Sequence, residues 1–253
     1  HKKHYAIASA KLNIVGNFDE GETLRLFSSL EGPAKEPLAA LPVPKFAGVE
    51  KTQVYFYDVP GAKQSVLQMS RPALPVTNED FTKLEALNFP LGRIYTSKLM
   101  TELRVNRGYT YGIRSFATGN AEQGQFGVGT SVRTNVTLES LSLINEILGR
   151  YSEEMTEAEL AQTKDALLRG QALKNETLGD KLGLIQEITR FDLPYDAKSK
   201  NMEVVQSMSL EEAKAVLDSH VRPDAMNVIV VGDAATQLER LEKLGFGKPI
   251  LLN

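Results

Sequence analysis

The sequence predicts an α+β fold in which helices pack on one side of a largely antiparallel sheet. Three observations carry that prediction. Strand patterns rich in Val, Tyr and Phe come early, at residues 53–58 and 65–70. Helical periodicity dominates from about residue 135 to His220. A last apolar strand, residues 226–231, then closes the domain.

Taken in order, residues 10–15 read as a short strand closed by Gly16-Asn17, and a helix carrying Leu24, Leu26 and Phe27 comes next. Residues 53–58 and 65–70 flank a Pro60-Gly61 turn and are expected to pair as a hairpin. Asn78 caps a helix with apolar positions Phe81, Leu84 and Leu87. Pro90 interrupts it before a second helix carrying Tyr95, Leu99 and Leu103. From Tyr109 the period changes to two, with Tyr109, Tyr111, Ile113 and Ser115 on one face, and residues 119–124 turn the strand back into residues 125–133. Asn135 or Thr137 starts a helix burying Leu138, Leu141, Ile144 and Leu148. Thr156 with Glu159 and Ser209 with Glu212 then form two capping boxes.

The strand, turn and helix near residue 16 reappear near residue 232. Aligning Gly16 with Gly232 also pairs His4 with His220 and Val15 with Val231, an offset of 216 residues. Residues 1–32 are therefore expected to be the tail of a preceding homologous half. Pro33, Pro37, Pro42 and Pro44 make residues 33–44 an expected linker, and residues 45–253 the second domain.

Composition excludes several function classes. Lys plus Arg is 29 against Asp plus Glu at 32, so the basic footprint of a nucleic-acid-binding surface is missing. No run of 18 apolar residues and no charged-then-apolar leader occurs, so neither a membrane span nor a secretory signal is expected. Cysteine is absent, which removes thiolate catalysis, disulfides and cysteine metal sites. Compartment stays open.

Histidine is limited to His1, His4 and His220. His1 and His4 lack a third ligand and read as an exposed terminus, while His220 reads as a cation favourable at a helix end. Gly124, Gly127 and Gly129 match no phosphate-loop pattern and read as a strand built for close backbone approach. The strand at residues 124–133 and the one at 64–70 are candidate edges for pairing with a peptide. Gly16-Asn17 and Gly232-Asp233 read as caps.

One run stands out, residues 103–112, Leu-Arg-Val-Asn-Arg-Gly-Tyr-Thr-Tyr-Gly. It joins a helix end to a strand start, so the Arg104 guanidinium and a phenol can converge on one carbonyl. The structural alternative is an arginine neutralised by acidic neighbours beside two core tyrosines.

With residues 87–92, Leu-Asn-Phe-Pro-Leu-Gly, and Ser97-Lys98-Leu99, this run resembles the second half of the pitrilysin, insulysin and mitochondrial processing peptidase family of inverted zincins. The resemblance covers residues 45–253, with residues 1–32 similar to the tail of the preceding half. It implies a first half carrying H-x-x-E-H, whose histidines bind zinc and whose Glu activates water. It also implies that the second half grips the substrate backbone with an Arg and a Tyr seven residues apart. These become Arg104 and Tyr111, with Tyr109 a further substrate-binding candidate.

H-x-x-E-H is absent here, so no metal ligand is expected in this chain, and zinc is expected in a homologous half. That half belongs either to the same polypeptide or to a partner subunit. The implied function is the substrate-binding, non-zinc half of a zinc metalloendopeptidase acting on peptides or small proteins, inactive alone. The alternative is a non-catalytic scaffold of the same fold, such as a core subunit of the respiratory bc1 complex.

Overall fold

The structure is a computed structural model that describes residues 7, 10–30, 48–173 and 176–253. His1, His4 and the expected linker at 33–44 lie outside the described residues. Two compact units are present, residues 1–45 with 169–197 and residues 46–168 with 198–253. In chain order the helices are α1 (Glu20–Phe27), α2 (Glu79–Asn88), α3 (Lys98–Met100), α4 (Thr137–Glu154), α5 (Glu157–Leu173), α6 (Leu178–Phe191), α7 (Ala197–Ser207), α8 (Leu210–His220) and α9 (Ala234–Gln237). The strands are β1 (Gln53–Asp58), β2 (Gln64–Ala73), β3 (Thr110–Gly119), β4 (Gly124–Arg133), β5 (Asn227–Gly232) and β6 (Ile250–Leu251). Two π-helical turns, Phe89–Arg93 and Thr101–Asn106, extend α2 and α3.

In the smaller unit, the Asp19 carboxylate caps α1 by accepting from the Glu22 N–H at 2.7 Å. Thr177 and Asp180 form a reciprocal capping box on α6. Residues 10–15 form no strand, a correction to the sequence expectation, because no ladder partner stands beside them among the described residues. No residue of α1 is buried, and Leu24 and Leu26 are 58% and 71% exposed.

In the larger unit, six strands form one mixed sheet in the order β3-β4-β2-β5-β1-β6. The fold is α+β, as the sequence predicts. The expected hairpin of β1 with β2 is not made, because β5 lies between them, parallel to β1 and antiparallel to β2. The Pro60-Gly61 turn forms, with Gly61 at φ 72° and Ala62 N–H bonded to the Val59 carbonyl at 3.1 Å. The link at residues 59–63 is long enough to straddle two strand spacings, about 10 Å. The central place falls to the Val-rich β5, whose Val228 and Val230 are fully buried with Val54 and Phe56 of β1. Tyr55 and Tyr57 alternate onto the other face, where Tyr57, Val66 and Ile229 are exposed.

Two of the expected caps form as read, whereas Gly16-Asn17 does not cap α1, which Asp19 caps instead, and Asp233 stands at the start of α9 without a side-chain capping bond. Asn78 accepts from the Asp80 N–H at 2.9 Å, and the Ser209–Glu212 box is complete. The Thr156 box is only half made. Its hydroxyl takes the Glu159 N–H at 3.2 Å, whereas the Glu159 carboxylate turns to Lys98 at 3.0 Å.

Two expectations about binding edges are corrected. β4 is paired with both β3 and β2, and β2 with both β4 and β5, so neither offers a free edge to a peptide. The glycines of β4 serve packing instead: a Cβ on Gly127 would stand 2.6 Å from the Met69 carbonyl oxygen and 2.6 Å from Phe116. The edge strands are β3 and β6, and β3 is covered at its centre. Asn88 donates to the Ser115 carbonyl at 3.3 Å, and Gly92 lies so close that a Cβ would meet the Ser115 nitrogen at 2.6 Å.

His220 ends α8, but the cation serving that terminus is Arg71, which donates to the Ser219 carbonyl at 3.2 Å. Burial and then the nearby Arg71 charge hold the His220 imidazole below its usual pKa.

Candidate functional site

The site grows from the junction between α3 and β3. Ser97 stands at the start of α3, and Lys98 anchors the helix by pairing with Glu159 at 3.0 Å and Glu154 at 3.7 Å over the Tyr151 ring. The Tyr151 hydroxyl, fully buried, donates to the Leu87 carbonyl at 2.6 Å. Helix α2, the π-turn after it and α4 are thereby tied together beneath the site.

The π-turn Thr101–Asn106 buries Leu103 and leaves Arg104 half-buried at its C-terminal end. Gly108, at φ 61°, stops the helix, with Tyr109 N–H on the Leu103 carbonyl at 2.8 Å and Gly108 N–H on the Arg104 carbonyl at 3.1 Å. Only glycine takes this backbone conformation at no steric cost.

The start of β3 departs from the expected alternation. Thr110 pairs with Val132 but Ile113 pairs with Thr130, so β3 holds one more residue than β4 across this step. This is a β-bulge. It leaves Thr110 and Ile113 both buried and turns Tyr111 outward, 88% exposed, instead of onto the core face with Ile113 and Ser115. The extra backbone groups are satisfied by side chains. Gly112 N–H donates to the Thr110 hydroxyl at 3.0 Å, and the Gly112 carbonyl accepts from the Thr110 and Thr130 hydroxyls at 2.9 Å each. Tyr109 is half-buried and precedes β3, so it does not share a strand face with Tyr111.

Arg104 and Tyr111 meet. The guanidinium carbon lies 4.7 Å from the centre of the Tyr111 ring and 5.1 Å from the centre of the Tyr95 ring. Among the described residues no hydrogen bond or ion pair occupies the guanidinium, so its donors are unspent. The arrangement therefore offers a fixed planar cation and a phenol hydroxyl side by side, able to donate to carbonyl or carboxylate oxygen.

Tyr95 is not on a helix with Leu99 and Leu103, as the sequence pattern predicts. It lies instead in the turn before Ser97, 59% exposed. The sequence signal for this is Ser97, which places the helix start at Lys98. Gly112 within a strand pattern is the corresponding signal for the bulge.

Among the described residues no group of three or more His, Cys, Asp or Glu is placed to hold a metal ion. The donor set among these residues does not fit zinc. A groove of about 670 Å³ lies between the α3 segment and α4–α5 and is lined by Lys98, Glu102, Arg150 and Glu154 among others, without Arg104 or Tyr111. No described helix is long and apolar enough to cross a membrane.

Residues 1–167 match the family model described as the peptidase M16 inactive domain. The chain belongs to that family. It is 25% identical over 239 residues to an uncharacterised zinc protease of Streptomyces coelicolor, covering 90% of this chain and 48% of that protein. It is also 25% identical over 157 residues to the non-peptidase homologue YmxG of Helicobacter pylori, covering 61% of this chain and 36% of that one. The crystal structure of a peptidase M16 inactive domain from Pseudomonas fluorescens shares the fold, with a TM-score of 0.75 at 22% identity over 86% of this chain and 52% of that chain. The chain thus spans about half, or less, of the length of the curated relatives it matches. It has the fold of the non-catalytic half of the M16 family.

Proposed function

We propose that this chain is the substrate-gripping, non-zinc half of a zinc metalloendopeptidase that hydrolyses peptides or small proteins. The carrying observation is the Arg104–Tyr111 pair, at 4.7 Å, with unspent donors on an exposed surface. A peptide carbonyl under attack gains negative charge on oxygen, and a guanidinium and a phenol held in place beforehand stabilise that charge while fixing the scissile bond. Arg104 carries its proton throughout, and Tyr111 donates its hydroxyl hydrogen without transferring it. Tyr109 is the weaker contact of the three, since it is half-buried and outside the guanidinium's ring contacts.

Exposure of Tyr111 at 88% bears on the mechanism. In open water such donors gain little over solvent, so the grip acts once a homologous half, in the same polypeptide or a partner subunit, closes over the peptide and excludes water. Zinc belongs to that half in this reading. Residues 1–32 are its tail: Gly16 matches Gly232 at the 216-residue offset, and α1, equivalent to the segment after β5, buries none of its residues here. The linker at 33–44 then leads into this domain.

The test is Tyr111→Phe and Arg104→Ala in the protein assembled with its zinc-bearing half. Removing one such donor typically lowers turnover by about 10²–10³. A loss of at least tenfold with unchanged thermal unfolding is expected, and an unaltered rate removes the assignment. A second reading, a non-catalytic member of the fold, draws on the likeness to a protein named a non-peptidase homologue. It predicts peptide binding, or an assembly role, with no cleavage under any pairing.

A further inference from the structure

Resting on the reading of Arg104 as part of a peptide grip, we infer that Tyr95 is a positioning residue that completes it. The guanidinium carbon of Arg104 is 5.1 Å from the Tyr95 ring centre and 4.7 Å from that of Tyr111. The two rings come from different elements, the turn before α3 and the bulge of β3, and neither is packed into the core, at 59% and 88% exposure. Two large aromatic side chains are thus left in solvent, in contact with a cation that has no counter-ion or acceptor among the described residues.

An arginine side chain on a surface ordinarily samples many rotamers, and ordering it costs conformational entropy. Cation–π contact with two rings reduces that freedom before any ligand arrives. The ring contacts use none of its N–H donors, so these stay available to an acceptor oxygen, such as the backbone carbonyl of an extended peptide. Tyr111 has its own hydroxyl to offer that carbonyl. Tyr95 acts through Arg104.

Tyr95 is independent of the anchors that build the fold. Lys98, Tyr151 and Thr110 hold the surrounding backbone through polar contacts in which Tyr95 takes no part. Its replacement therefore leaves folding intact and loosens the arginine only.

The experiment uses this chain assembled with its homologous half, kept zinc-free so that peptide is held and not cut, with a fluorescein-labelled, unstructured twelve-residue peptide followed by anisotropy, together with the Arg104 Nε–H resonance in nuclear magnetic resonance spectra. Tyr95→Leu is expected to weaken peptide binding about fivefold, to remove the ring-current displacement of the Arg104 resonance and to leave thermal unfolding unchanged. Tyr95→Phe keeps the ring and is expected to restore both readouts. Arg104→Ala is the reference: if it leaves peptide binding unchanged, the grip itself is wrong. If Arg104→Ala weakens binding while Tyr95→Leu leaves binding or the Arg104 resonance as in the parent, the grip stands and the role of Tyr95 is overturned. Tyr95→Phe behaving like Tyr95→Leu also overturns it, because the hydroxyl rather than the ring would then be at work.

Discussion

Thr110 and Thr130 face each other across β3 and β4 with their hydroxyl oxygens 2.8 Å apart, at the step where β3 carries one residue more than its partner. Both are buried, and between them they satisfy the Gly112 N–H and carbonyl that the bulge takes out of the ladder. The exposure of Tyr111 depends on this pair. A regular ladder would have sent Tyr111 to the core side with Ile113.

Thr110→Val is close in shape and removes the hydroxyl that both donates to and accepts from Gly112. Leaving a buried donor and acceptor unpaired costs about 1–3 kcal/mol. A lower urea midpoint is expected, with weaker peptide binding as Tyr111 loses its fixed direction. Thr130→Val should behave alike, and the double variant should lose less than the two single losses added, because both act on one network. An unchanged midpoint in Thr110→Val would show that the hydroxyls do not hold the bulge.

Gly127→Ala and Gly112→Ala make a contrasting pair on adjacent strands. The first places a methyl 2.6 Å from the Met69 carbonyl and 2.6 Å from Phe116, in the paired middle of the sheet. Overpacking of this kind costs about 1–3 kcal/mol, seen as a fall in unfolding midpoint. The second meets nothing within 4 Å, so a change within about 0.5 kcal/mol is expected there. Equal losses at both positions would refute the account of the glycines as packing residues.

Local devices were legible in the sequence because their physics is local: Asn78 as a cap, the Ser209–Glu212 box, Gly61 in its turn, and the helix-to-strand junction that brings Arg104 to Tyr111. The hairpin of β1 with β2 is not formed because the strand that separates them arrives some 150 residues later, and a local pattern carries no record of it. The same distant pairing hides the fact that β4 and β2 are interior strands rather than edges. Residues 10–15 hold Leu12, Ile14 and Val15 and yet are unpaired, which shows that strand propensity without a partner makes no strand. The bulge is a subtler case. A single added residue reverses the face on which every preceding side chain stands, so Tyr111 shares a face with Ile113 in the pattern and is separated from it in the fold.

Tyr151→Phe tests the tie beneath the site. The buried phenol donates to the Leu87 carbonyl at 2.6 Å near the start of the π-turn, and burial, with a smaller push from Glu159, drives its pKa well above the usual 10. Loss of the hydroxyl should cost about 1–2 kcal/mol, read from the urea midpoint. A phenol kept neutral in the fold but free to ionise when unfolded stabilises fully below pH 10.0 and progressively less above it. Tyr151→Phe should therefore flatten the alkaline limb of the stability profile, and an alkaline limb as steep as the parent's would contradict the assignment.

His220 governs the mildly acidic side. Burial, and then the charge of Arg71, lowers its pKa from 6.5, with Asp80 opposing. The unfolded chain consequently binds a proton at His220 more readily than the fold does. Stability contributed by the neutral imidazole is whole above pH 6.5 and is lost as pH falls from there toward the lower folded value. Protonation also sets a second cation beside Arg71, whose guanidinium holds the Ser219 carbonyl at the end of α8. The carboxylates of Asp224 and Asp233, depressed from 3.8 by hydrogen bonds to Arg222 and to Thr236, keep their contribution above that value and lose it only as pH falls below it, so the two windows separate. His220→Gln keeps a neutral polar side chain and removes the titration. Its melting temperature should fall less than the parent's between pH 7.5 and about pH 5.5, and the two curves should run parallel above pH 7. An equal fall in both proteins would assign the acid sensitivity elsewhere, since His220 is the only histidine among the described residues.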